Sequence, residues 1–116
     1  MIRLLLVELE PDDLQTQTLA RALRDHGVEV VYATAATAEQ IAEAAIQEDV
    51  RAVGLVIRTD EHRRIGTELA AMTVVFATAE GDEHALRQAG VKAVFRHGNA
   101  EGVVSWAEAQ TAGHVR

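Results

Sequence analysis

The chain has 116 residues, a length that suits one domain with one core, and at this size folding buries about 65% of the surface that the unfolded chain exposes. Hydrophobic residues make up 48% and charged residues 25%, and no apolar run nears the roughly 20 residues of a membrane helix, so the composition excludes a disordered or helically membrane-spanning chain. Eleven Lys and Arg against eighteen Asp and Glu leave a net charge of −7 without a basic cluster, which argues against nucleic acid, and the lack of cysteine excludes disulfides, thiolate metal sites and a cysteine nucleophile.

Five short apolar segments rich in β-branched residues alternate with helical patterns, which predicts parallel strands joined by crossover helices. Ile2 to Val7, polar only at Arg3, reads as a strand buried on both faces. It is too short for a secretory signal and runs into Glu8, Glu10, Asp12 and Asp13, so the expected location is cytoplasmic. Pro11 fits a first helical turn, Asp12 and Asp13 suit the positive end of a helix dipole, and Leu14, Leu19, Ala22 and Leu23 recur at helical spacing up to a stop at Gly27. Val28 to Tyr32 reads as the second strand. Thr37, Glu39 and Gln40 then form a capping-box pattern before a helix that buries Ile41, Ala44 and Ala45. Ala52 to Ile57 is the third strand, followed by a short helix from Asp60 to Ala71 with Ile65, Leu69 and Met72 on one side. Val74 to Ala77 is the fourth strand, Asp82 to Ala89 a helix stopped by Gly90, and Ala93 to Phe95 a brief fifth strand. Asn99 caps a last helix with apolar contacts at Val103, Val104, Trp106 and Ala107. The reading is a single α/β domain over residues 1–110 and a C-terminal tail over 111–116. The class is a three-layer flavodoxin-like (Rossmann-like) fold with a five-stranded parallel sheet, for which analogy selects the order 2-1-3-4-5.

In such sheets ligands bind beyond the carboxyl ends of the strands, which directs attention to four loops: Glu8 to Asp13, Arg58 to His62, Thr78 to Asp82 and Arg96 to Asn99. Glu10, Asp12 and Asp13 are first-turn helix charges worth roughly 0.3 to 1 kcal/mol each, or a weak carboxylate cluster. No two of His26, His62, His84, His97 and His114 stand four apart, so a zinc site is not expected, and the loop histidines His62 and His97 read as solvated. Arg58, straight after a buried strand, needs solvent, an anionic ligand or a carboxylate such as Glu10 or Asp12, and an internal ion pair with the first loop is expected. Trp106 reads as the core anchor of the last helix.

Ala20 to Asp25 with Gly27, Thr37 to Ile41, Ala45 to Val50 with Val53 and Gly54, and Leu86 to Val91 with Ala93 to Phe95 and Gly98 are together similar to the C-terminal cobalamin-binding domain of methylmalonyl-CoA-mutase-type enzymes. The resemblance covers almost the whole chain and implies a cobalamin-binding fold, but the family's ligand motifs are replaced. Its Asp-x-His-x-x-Gly motif falls on Glu10 to Gln15, with Asp12 in place of the histidine that ligates cobalt and Gln15 in place of the glycine. Its Ser-x-Leu motif falls on Val56, Ile57 and Arg58, and its glycine-rich strand end on Ala77, Thr78 and Ala79. A carboxylate is a hard oxygen donor and a poor substitute for imidazole on cobalt.

The opening Ile2 to Glu8 with Glu10, Pro11 and Asp12 also resembles a response-regulator receiver. That resemblance implies phosphotransfer at an aspartate ending the third strand, where this chain has Val56 or Ile57. Glu10 stands as one acid, Thr78 as the hydroxyl and His97 near the lysine position. The combined expectation is a cobalamin-binding-like domain, not an enzyme on its own, that either holds cobalamin base-on without a histidine ligand or serves cofactor-free as a regulatory or assembly module. The alternative is a pseudo-receiver signalling through protein contacts. Glu10, Asp12, Gln15, Arg58, Thr59, Thr78 and Gly98 are the expected pocket residues, with no metal ligand and with a protein partner or homodimer rather than nucleic acid or a membrane.

Overall fold

The protein is described by a computed structural model, and the description concerns residues 2–112. The elements run β1 (Arg3–Glu8), α1 (Leu14–Asp25), β2 (Glu29–Thr34), α2 (Ala38–Gln47), β3 (Ala52–Val56), α3 (Asp60–Ala70), β4 (Val75–Thr78), α4 (Glu83–Gln88), β5 (Ala93–Phe95) and α5 (Ala100–Ala112). All pairings are parallel and the sheet order is β2-β1-β3-β4-β5, so the winding reverses between β1 and β3 and the flavodoxin-like architecture holds. Among the described residues no helix is long and apolar enough to cross a membrane.

Strand β1 explains the three layers. Successive side chains point to opposite faces, so Leu4 and Leu6 join Leu19 and Leu23 of α1, Phe76 of β4 and Val103 of α5. Leu5 and Val7 join Ile41 of α2, Ile65 and Leu69 of α3 and Leu86 of α4. Two helices thus cover one face and three the other. Gly54 of β3 is the tightest point of the first layer, because a Cβ there would stand 2.3 Å from Phe76 Cζ and 2.6 Å from Leu6 Cδ2. The Phe76 ring fills that space and meets Trp106 at a centroid distance of 5.0 Å, which makes Trp106 a half-buried anchor of α5, as expected.

Helix starts follow local chemistry. Thr37 and Gln40 complete the expected capping box of α2, Thr59 Oγ1 accepts the His62 N–H at 3.1 Å, and Asn99 Oδ1 accepts the Gly102 N–H at 2.9 Å.

Several details differ from the sequence reading. Pro11 lies outside α1, since Asp12 takes a left-handed φ of 56° and Asp13 becomes the N-cap. Leu14, which the helical spacing grouped with Leu19, Ala22 and Leu23, is the first helical residue and is 72% exposed, and Met72, just past the end of α3, is 48% exposed. His62 is not a solvated loop residue: it sits in the first turn of α3 and is buried. Helix α5 continues to Ala112, two residues into the expected tail, while His114 and Gly113 to Arg116 lie outside the described residues.

Candidate functional site

The carboxyl ends of the strands carry two distinct constellations. The first joins the loop after β1 to the loop after β3. Asp13 must present its carboxylate to cap α1, and that carboxylate accepts from Gln15 N–H at 3.0 Å and Thr16 Oγ1 at 2.9 Å. Its side chain is only 2% exposed, so its remaining lone pairs need donors. Arg58 supplies them in a two-pronged pair, Nη2 to Oδ1 at 2.7 Å and Nη1 to Oδ2 at 2.8 Å. The Arg58 guanidinium and the Thr16 hydroxyl hold the Asp13 carboxyl down at about 2, against the upward push of burial.

Around this pair the geometry is closed. Glu10 approaches Arg58 Nη1 at 3.9 Å and His62 Nε2 at 3.4 Å. His62 Nδ1 accepts the Arg58 backbone N–H at 3.1 Å, so the neutral ring carries its proton on Nε2, facing Glu10. Behind them Glu8, buried at the end of β1, accepts from the Tyr32 hydroxyl at 2.5 Å and from the Asp13 N–H at 3.3 Å. The Tyr32 hydrogen bond lowers the Glu8 carboxyl, while burial and the neighbouring Glu8 charge raise the Tyr32 phenol.

The second constellation is an apolar cleft of about 160 Å³ between the start of α1 and the start of α5, with the ends of β3 and β4 as its floor. Leu14, Leu19, Val56 and Ala100 form its walls, and Gln15, Thr18, Thr78, Gly98 and Asn99 complete the lining. Thr78 is buried and its Oγ1 lies 3.1 Å from His97 Nδ1. A hydroxyl and an imidazole in contact resemble a nucleophile and base, but among the described residues no carboxylate meets the ring of His97; Glu80 instead accepts from its backbone N–H at 3.3 Å.

The expected pocket residues therefore divide. Glu10 and Arg58 belong to the ion-paired loop, while Gln15, Thr78 and Gly98 line the cleft. Thr59 is the N-cap of α3, and Asp12 lies in a shallow depression with Glu8, Pro11 and Thr34. Arg58 does form the internal ion pair expected of it, but chiefly with Asp13, since the left-handed turn at Asp12 sends the next carboxylate inward. The sequence carried a signal for this choice: Asp13 stands directly before the first helical residue with Thr16 three positions later, an N-cap pattern. Leu14, Thr18 and Asn99 as cleft residues, and Tyr32 as the partner of Glu8, had no such signal. Among the described residues no three His, Asp or Glu side chains converge to hold a metal ion.

No family model and no curated protein matches the sequence. Solved structures match its fold. A cobalamin-binding protein from Desulfitobacterium hafniense superposes with a TM-score of 0.78 at 15% identity over 93% of this chain, which spans 58% of that protein. The signal receiver domain of NarL from Mycobacterium tuberculosis gives 0.72 at 18% identity, covering 97% of this chain and 98% of the other. A CheY-like protein, TadZ, from Pseudomonas aeruginosa gives 0.73 at 16% identity, covering 100% and 97%. Both resemblances seen in the sequence thus recur in the fold, and identities this low speak for the fold alone.

Proposed function

We propose that the chain is a non-catalytic regulatory or assembly module that works through a protein partner or a second copy of itself, without a bound cobalamin. One observation carries this reading: the Arg58 guanidinium is locked in two prongs to Asp13, so the loops after β1 and β3 are tied to each other instead of standing open over the strand ends. Breaking the pair to admit a ligand would leave a carboxylate that is 2% exposed without its cation, at a cost of about 2 kcal/mol. Equilibrium dialysis against hydroxocobalamin, with light scattering on the same sample, tests the proposal. The expected result is no retained corrinoid, no spectral change of the kind imidazole coordination produces, and a mass above the monomer or a shift on adding a partner. Retained corrinoid without that spectral change would instead support base-on binding. Retention with that change would point to His62 or His97 as the ligand.

A pseudo-receiver is the second reading, and the Thr78 to His97 contact favours it, because these two residues stand where the receiver resemblance expects a hydroxyl and a lysine. Incubation with acetyl phosphate and Mg²⁺ is expected to give no stable phosphoryl adduct. Asp60, exposed and paired with Arg63 at 2.5 Å, is the residue on which an adduct would revive phosphotransfer.

A further inference from the structure

We propose that the cleft between α1 and α5 binds a neutral, largely apolar small molecule the size of one six-membered ring, with one hydrogen-bonding group directed at Thr78. Size is the first argument. An aliphatic cavity of about 150 Å³ accommodates one benzene ring, and this cleft offers about 160 Å³ with aliphatic walls from Leu14, Leu19 and Val56. A nucleotide or a macrocycle does not fit in that volume.

Charge is the second. Among the described residues none of the side chains lining the cleft is Asp, Glu, Lys, Arg or His, so an ionised ligand would lose its hydration without gaining a counter-charge. Arg58, which directly follows the strand supplying Val56, is committed to Asp13. A phosphate-bearing molecule is disfavoured on the same ground.

Polarity at a single point is the third. Thr78 is buried and its hydroxyl meets His97 Nδ1, yet a hydroxyl has one donor and two acceptor positions, so it retains capacity for a ligand group. His97 accepts or donates according to its tautomer, and the pair therefore adapts to either kind of ligand group. Asn99 does not compete through its oxygen, which already holds the Gly102 N–H. Gly98, at a φ of 84°, passes the chain along the cleft without a side chain to fill it.

Leu14 completes the case. It is 72% exposed and lines the cleft, and a ring bound against it would cover part of that surface. This inference goes beyond the proposed function and does not depend on the absence of cobalamin.

Amide NMR titration of the ¹⁵N-labelled full chain tests it, with phenol, toluene and benzoate as probes. Phenol and toluene are expected to give saturable shifts confined to Leu14 to Leu19, Thr78 and Gly98 to Ala100, with dissociation constants of roughly 1 mM as small ligands of this size allow. Benzoate is expected to bind at least about tenfold more weakly than phenol. Thr78→Val should weaken phenol by about 2- to 12-fold, the range of one neutral hydrogen bond, and leave toluene unchanged. Thr18→Phe should abolish binding of both by filling the cleft from the exposed side of α1. Gln15→Phe serves the same end if thermal melting shows that Thr18→Phe does not fold. Shifts scattered over the surface, benzoate binding as tightly as phenol, or filled variants that bind like the parent would each overturn the proposal. The corrinoid dialysis is read separately: it judges the proposed function, and the phenol series judges the cleft.

Discussion

Replacing Asp13 by Asn isolates the charge of the buried ion pair from the geometry around it. Asn is as good an N-cap as Asp and is nearly the same size, so the start of α1 is kept. What disappears is the negative charge opposite Arg58, whose remaining acidic neighbour is Glu10 at 3.9 Å. The Asp13 carboxyl is shifted from 3.8 to about 2, and at 1.36 kcal/mol per pH unit that corresponds to about 2 kcal/mol of stability at neutral pH. The sign of the pH dependence follows from the direction of the shift. A depressed carboxyl stabilises the fold fully above its unfolded value, and the contribution is lost as pH falls from there through about 2. Urea unfolding of parent and variant should therefore show a constant gap of about 2 kcal/mol between pH 7 and pH 5, shrinking to roughly half at pH 3. A gap of equal size at pH 3 would mean that packing, not charge, sets the difference. No gap at pH 7 would mean that desolvating Arg58 and Asp13 cancels their attraction, and the picture of a locked loop would fail.

Three further outcomes are expected. Gly54→Ala should destabilise by about 3 kcal/mol or more in urea unfolding, with a change in Trp106 fluorescence, because the new methyl would collide with Phe76 and Leu6 inside a strand that cannot move away. Thr37→Ala should lower stability by about 1 kcal/mol without altering the fold by circular dichroism, since it removes one half of the α2 capping box; an unchanged midpoint would show that water replaces the hydroxyl at no cost. Tyr32 is the single tyrosine, so tyrosinate absorbance reports on it alone, and its ionisation should occur above the ordinary value of about 10; ionisation near 10 in the folded protein would break the Tyr32 to Glu8 contact as drawn.

The fold was legible because its signals are local and periodic. β-Branched strands such as Ala52 to Val56, the capping box at Thr37 and the glycine stops at Gly27 and Gly90 each act within a few residues, and each stands where expected. Strand ends moved by one or two residues, since pairing with neighbours decides them: Glu8 is in β1 because it pairs with Thr34. The site was less legible. Arg58 announced a need for a partner, but the choice among Glu10, Asp12 and Asp13 turns on one left-handed residue, and aspartate visits that conformation without an unambiguous mark in the sequence. The cleft depends on how α1 and α5 sit against each other across β1 and β3, a distance no pattern along the chain encodes.

The two constellations meet at consecutive residues, and that adjacency constrains how the sheet edge works. Asp13 caps α1 and is bound to Arg58, while Leu14, the first residue of the same helix, stands at the mouth of the cleft. The Asp13 side chain therefore sets both the start of α1, from which Leu14 projects, and the tie to the loop after β3. A ligand that required the loops after β1 and β3 to separate would have to break the pair. A ring-sized molecule in the cleft needs no such change. Asp13→Ala, which removes both the cap and the ion pair, is therefore expected to weaken phenol binding although Asp13 does not line the cleft, whereas Asp13→Asn, which keeps the cap, is expected to leave it unchanged.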